Sequence, residues 1–411
     1  MTRASGTERN DAETRDRRLR GLVAHAYERV PFHRERFDRA GLRPADVRGI
    51  ADLARLPVME KADLLDRPIE EIVARGTRPS TLVSTMTSGY SGEPLVVHRS
   101  RAEQALWARS WLRDLLAAGL RRGDRVASVF VHREGRPDGI ALLNGLGLVD
   151  ERMIDCCLDP VEILAELRRT PPTFLRGLPS VIERVAGLVT DHDRPRLRPR
   201  VVWLSGEVVT PMARARIESA FGAPVHDAYG THEVGLIASD CRAAGLKHLG
   251  RPDLIVEVVA GAVPTAPDTG EIVVTALSFS TAPFIRYRLT DSVTPGPYGC
   301  PCGHPGATLA RIEGRTIDYF ELPDGRAIHP YRILAPLLGA APWIRQYQLV
   351  QEAPDRIVLR HVPLEGAGPP SGQELREAAA AMLGPDVRFE IEAVPRIGTA
   401  EGGKPRPIVR A

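Results

Sequence analysis

Thr87-Ser88-Gly89-Tyr90-Ser91-Gly92-Glu93-Pro94 follows directly on the mostly apolar run Leu82-Val83-Ser84-Thr85-Met86. Hydroxyls and glycines alternating behind a strand-like segment make a loop that turns tightly. Such a loop offers backbone N–H groups and hydroxyl donors to a polyanion, usually a nucleotide phosphate. A mobile surface turn has the same composition, so the reading rests on what stands around it.

On either side, helical and strand patterns alternate. Leu19, Leu22, Val23, Ala26, Tyr27 and Val30 recur with helical spacing and predict an amphipathic helix ended by Pro31. A short helix is expected after Met59-Glu60-Lys61, and a longer one over 101–118, broken by Gly119 and Gly123 before a strand Val126–Val131. Asp159-Pro160 caps a helix carrying Val161, Leu164 and Leu167. Further strands are expected at Val201–Leu204, Ile272–Leu277, Arg356–Val362 and Phe389–Val394, the last two flanking a helix with Leu375, Ala378, Ala379 and Met382. This alternation argues for the α/β class. The expected organisation is a tail at 1–15, a large multi-layer α/β/α body at 16–317, and a small α+β domain at 318–411.

Composition narrows the function classes. With 411 residues, 43% hydrophobic and 26% charged, the chain reads as an ordinary globular protein. A net charge of +3, no concentrated Lys/Arg stripe and only 5% aromatics speak against a nucleic-acid surface. The polar first residues read as a flexible tail, neither signal peptide nor membrane anchor. No apolar run approaches the roughly 18 residues of a membrane helix. Five cysteines, an odd number, argue against a disulfide framework and for a reducing cytoplasm. No repeat of fixed period is evident.

The ordered set of motifs resembles the adenylate-forming superfamily, and within it the phenylacetate–coenzyme A ligase branch. It runs from Ala26-Tyr27-Glu28-Arg29-Val30-Pro31-Phe32-His33-Arg34-Glu35-Arg36-Phe37 through Leu56-Pro57-Val58-Met59-Glu60-Lys61 to the Thr87–Pro94 loop. Gly177-Leu178-Pro179-Ser180, Gly206-Glu207, Asp227-Ala228-Tyr229-Gly230-Thr231-His232-Glu233 and Arg286-Tyr287-Arg288-Leu289-Thr290-Asp291 follow. Gly314-Arg315-Thr316-Ile317-Asp318 and Gly402-Gly403-Lys404-Pro405 complete it.

What the resemblance implies is ATP-dependent activation of a carboxylic acid. Thr87, Ser88, Gly89, Ser91 and Gly92 would hold the β- and γ-phosphates. Glu233 matches the Mg²⁺-associated glutamate, with Gly230 and Thr231 in the same nucleotide motif. Tyr229 would stack near adenine, opposite Gly206 and Glu207. Asp291 matches the ribose-binding aspartate, and Arg315 an arginine reaching the nucleotide. Lys404 would neutralise charge as the carboxylate attacks the α-phosphorus, and Asp318 would be the hinge of a mobile C-terminal lid. Without the resemblance, Glu233 reads as a surface glutamate, Asp318 as a loop residue and Lys404 as part of a basic tail. The chain departs from the family where threonine and lysine are common in the loop, having Tyr90 and Glu93. It also has Thr290 where glycine usually precedes the aspartate.

Cys241, His248, Cys300 and Cys302 form a second constellation. Three thiolates and an imidazole satisfy a closed tetrahedral Zn²⁺ site, and some relatives of the branch look the same here. The bland reading is a turn with free thiols, and His304 is an alternative fourth ligand. Cys156-Cys157 are expected in the packed core. The acyl pocket is expected between the end of the Val126–Val131 strand, Gly177 with Pro179, and the segment before Tyr229. His132 is a candidate gate or part of an exposed polar loop. Because the segment up to Cys157 matches the phenylacetate enzymes poorly, aryl, short acyl and amino-acid-like acids all stay open.

The leading expectation is an acid–thiol ligase passing its acyl group to coenzyme A. Relatives with an amine, hydroxyl or carrier-protein acceptor give the alternative, and a degenerate nucleotide-binding protein is a third. Expected partners are a small carboxylic acid and coenzyme A, with no nucleic acid and no membrane. A homodimer is the assembly left open.

Overall fold

Leu19, Leu22, Val23, Ala26 and Val30 are all buried in the computed structural model, the first four on the inner face of the helix Gly6–Arg29. The helix starts ahead of residue 16, where an ordered body was expected to begin. Its early turns are polar, but Asp16 accepts from Ile50 N at 2.8 Å and Arg15 donates to Leu254 O at 3.1 Å. Pro31 ends this helix and also opens the next, Pro31–Arg39, at a position where a missing N–H costs nothing. The residues described are 6–87, 95–131, 139–259, 269–313, 320–328, 330, 333, 343–363, 373–397 and 408–410.

The chain forms two compact units. The first comprises Met1–Thr87, Leu95–Trp111 and Tyr229–Glu313. Its main sheet is antiparallel, in the order Leu254–Val259, Gly270–Ala276, Tyr287–Pro295, Thr308–Glu313, Leu246–His248, Gly235–Cys241, with Tyr229–Thr231 at the far side. Met59, Trp107, Val234, Ile237, Ile272, Val274 and Tyr287 lie in its core. A hairpin, Val83–Met86 with Val96–Arg99, carries the Ser/Gly loop between its strands.

Arg286 has a left-handed backbone (φ 52), a conformation costly for a side chain bearing a Cβ. Its partners hold it there. The N–H donates to Thr275 Oγ1 at 3.0 Å, and the guanidinium engages both Glu257 oxygens and the carbonyls of Ala54 and Leu56. This ties the Leu56–Lys61 segment to the Arg286–Asp291 motif.

The second unit comprises Ser88–Pro94, Leu112–Ala228 and Gly314–Ala411. Asp150–Asp155, Arg125–Phe130, Phe174–Gly177, Val202–Ser205 and the first part of Val225–Thr231 form a parallel sheet in that order. The apolar central runs are those of a sheet covered on both faces. Asp159 caps the helix Pro160–Arg169 as expected, but Pro160, Ile163, Leu164 and Leu167 are its buried residues and Val161 faces solvent. From residue 320 on, a separate four-stranded sheet runs Arg388–Ala393, Arg356–Pro363, Ile344–Ala353, Ile408–Arg410, with the helix Gln373–Leu383 between its strands in sequence.

Candidate active site and metal centre

The turn at His232–Glu233 follows the strand Val225–Thr231, and it is held from beneath by a buried cation. Arg99, last residue of the strand leaving the Ser/Gly loop, is 2% exposed. Its guanidinium donates to the carbonyls of His232 and Glu233 and to Thr85 Oγ1. The rings of Trp107 and Phe279 lie 5.5 and 5.6 Å from it. Burial lowers its pKa to about 10 against the opposing charges of Glu233 and Glu103, so the cation persists at neutral pH. Glu233 itself is buried, and its Oε1 accepts from Tyr287 OH at 3.2 Å.

Tyr229 OH donates to Asp291 Oδ2 at 2.6 Å. A bulge makes this contact. Glu271 pairs with Ser292 and Val273 with Arg288, so Leu289, Thr290 and Asp291 stand opposite Ile272 alone. The extra residues re-aim the side chain that follows. Thr290 does not adopt the positive φ that would call for glycine there, since Arg286 is the one non-glycine with positive φ among the described residues. Burial first, then the negative charges of Asp291 and Glu233 respectively, push the phenols of Tyr229 and Tyr287 well above their usual range. Both remain hydrogen-bond donors at any working pH.

Gly230 has no room for a side chain. A Cβ there would lie 2.5 Å from Gly235 O and 2.7 Å from the Trp111 ring. Thr231 accepts from Trp107 Nε1 through its carbonyl at 3.4 Å. Thr87, a candidate for the phosphates, pairs with Leu95 at the end of the hairpin: its N donates to Leu95 O at 2.8 Å and its Oγ1 accepts from Leu95 N at 2.9 Å.

In the second unit, Gly177, Pro179, Gly206 and Glu207 gather at the carboxyl ends of the parallel strands, where ligands bind in open α/β sheets. Gly206 turns the chain with φ 94, beyond what a side chain tolerates easily. That turn brings the Glu207 carboxylate to Ser180 N at 2.8 Å, in the first turn of the helix Pro179–Ala186. Ser88, Gly89, Tyr90, Ser91, Gly92, Glu93, His132, Arg315, Asp318 and Lys404 lie outside the described residues.

The second constellation is brought together within the first unit. The ligating atoms of Cys241, His248, Cys300 and Cys302 all lie within 4.8 Å of one another. Cys241 ends a strand, and its carbonyl accepts from Ala244 N and Gly245 N in a turn that returns the chain as Leu246–His248. Cys300 opens a second turn, closed by Gly303 N to Cys300 O at 2.9 Å and Cys300 N to His304 O at 2.8 Å. Cys241 Sγ is 3.6 Å from Cys300 Sγ, and Cys302 Sγ is 3.4 Å from His248 Nε2. Thiolates sharing one zinc at about 2.3 Å stand about 3.8 Å apart, so the donor set fits that ion. His248 supplies the nitrogen of the group, and His304 stacks on its ring with centroids 4.2 Å apart.

Arg99 and Tyr287 were not singled out by sequence reasoning. Tyr287 stands inside a quoted motif. Arg99 closes the strand Val96–Arg99 after the loop, and no sequence signal sets it apart from the nearby Arg101.

No family model matches the chain. It is 27% identical over 357 residues to the phenylacetate–coenzyme A ligase of Thermus thermophilus, covering 82% of this chain and 77% of that protein. It is 28% identical over 331 residues to the Pseudomonas putida enzyme of the same name, covering 73% and 70%. A 2-hydroxyisobutyryl-CoA ligase structure, in complex with 2-HIB-AMP and CoA, superposes with a TM-score of 0.67 at 23% identity, over 99% of this chain and 91% of that one. The resemblance to the phenylacetate–coenzyme A ligases therefore extends along most of the chain, and the α/β fold is that of an acyl-CoA ligase.

Proposed function

We propose that the protein is an acid–thiol ligase that joins a small aryl or acyl carboxylic acid to AMP, releases pyrophosphate, and passes the acyl group to coenzyme A. The observation that carries this reading is the construction around Glu233 and Asp291. A carboxylate held by Tyr287, on a turn clamped by Arg99, shares one unit with the Tyr229–Asp291 pair, in a chain aligned with one phenylacetate–coenzyme A ligase over 82% of its length.

In the first half-reaction a carboxylate oxygen of the acid attacks the α-phosphorus, and the bond to the pyrophosphate oxygen breaks. Glu233 would hold Mg²⁺, whose charge would offset that on the departing pyrophosphate. Asp291 takes the ribose hydroxyls, and Tyr229 keeps its carboxylate aimed. Ser88, Gly89, Ser91 and Gly92 give N–H and hydroxyl donors to the phosphates, with Arg315 on the same nucleotide. Lys404 neutralises the transition state. Rotation at Asp318 then withdraws the 318–411 domain so that the thiol attacks the acyl carbon and AMP leaves. Gly177 and Pro179, with His132, line the acid's side. Cys241, His248, Cys300 and Cys302 would hold a structural Zn²⁺, leaving no position open for chemistry. Five free cysteines suit a reducing cytoplasm, and no helix among the described residues is long and apolar enough to cross a membrane.

The test is exchange of labelled pyrophosphate into ATP over a panel of aromatic and aliphatic acids, followed by product mass with coenzyme A present. Acid-dependent exchange and a thioester are expected. ATP-induced thermal stabilisation with no exchange for any acid would overturn the reading.

A further inference from the structure

Asp155, Cys156 and Cys157 follow one another at the carboxyl end of the edge strand Asp150–Asp155 of the parallel sheet. Successive side chains of a strand point to opposite faces, which would keep these groups apart. Here the chain turns instead. Cys156 N makes the last ladder bond, to Phe130 O at 3.0 Å, and Leu158 N reaches back to Asp155 O at 3.2 Å. Asp155 Oδ1 accepts from Cys157 N at 2.9 Å and holds the turn closed. The two sulfurs and a carboxylate oxygen thereby converge, all within 4.8 Å of one another.

We propose that this turn is a second metal site, taking one thiophilic divalent cation of the Zn²⁺ or Cd²⁺ type. Two thiolates with a carboxylate form a donor set suited to such ions. Three protein donors leave the fourth tetrahedral position to water, unlike the closed four-donor cluster at Cys241. Each thiol gives its proton to solvent as it ligates. Cys156 is buried, while Asp155 and Cys157 are partly exposed, so the ion enters from their side. The five cysteines of the chain then divide completely: Cys241, Cys300 and Cys302 in one site, Cys156 and Cys157 in the other. Packing alone, the role expected for this pair, predicts one ion per chain, and a second site predicts two.

The test is a Cd²⁺ titration of the full chain, read by thiolate-to-metal charge-transfer absorbance and by elemental analysis after desalting. The wild type should retain two ions per chain and the Cys156→Ser/Cys157→Ser variant one. Equal retention by both overturns the proposal. Should the double variant fail to fold, alkylation of the wild type decides. Cd²⁺ should slow iodoacetamide modification of Cys157 at least tenfold by peptide mass, and an unchanged rate overturns the proposal.

Discussion

Arg99 and Tyr287 act on Glu233 from two directions, one through the backbone and one through the carboxylate. A hydrogen bond to a charged group contributes about 1.5–3 kcal/mol, so Tyr287→Phe should lower the exchange rate roughly ten- to a hundredfold. It should also raise the Mg²⁺ concentration needed for half-maximal rate, with the KM for the acid unchanged. A uniform loss at every Mg²⁺ concentration would assign Tyr287 a packing role only. Arg99→Met keeps the length of the side chain and removes the donors to the His232 and Glu233 carbonyls. It should shift the same Mg²⁺ dependence, with partial recovery in Arg99→Lys, since a lysine restores the charge but not the fork. Arg99 is thus a positioning residue, and a variant whose only defect is a lower Tm would contradict that.

At the scale of elements, the N-terminal helices show what a motif is for. His33 is buried, with Nε2 bonded to Pro283 O at 2.9 Å and Nδ1 accepting from Arg36 at 3.1 Å. Burial and then the Arg36 charge lower its pKa from 6.5 to about 3. The folded state therefore keeps His33 neutral while the unfolded chain takes up a proton below pH 6.5. Stability is full above that pH and falls as pH drops through the interval down to about 3. Between pH 7 and 5 the loss from this group is about 2 kcal/mol, and His33→Gln should flatten that part of a urea-unfolding series. An unchanged slope would place the proton uptake elsewhere. The periodicities of Leu19–Val30 and the 101–118 segment were legible because burial imposes them directly. The bulge at Leu289–Asp291 was not, because it depends on which residue of the neighbouring strand is skipped. Convergence of Cys241, His248, Cys300 and Cys302 was legible through the resemblance, donor chemistry alone leaving a turn with free thiols equally open, whereas the left-handed Arg286 was not legible, since its bonds to Glu257, Ala54 and Leu56 come from distant segments.

For the whole molecule, the proposed lid and the proposed zinc make separable predictions. Lys404→Ala should abolish pyrophosphate exchange yet spare thiolysis of preformed acyl-adenylate, and equal loss of both would count against the assigned role. Cys302→Ser should lower zinc content and Tm together without changing the order of acid preference, and full metal content in that variant would remove the site. The pairing of Thr87 with Leu95 has a further consequence. The hairpin strands Val83–Met86 and Val96–Arg99 are thereby fixed in register by their own bonds on either side of residues 88–94. Exchanging residues 88–94 for a relative's should therefore leave the melting temperature in place, and a shifted Tm in such a graft would contradict this.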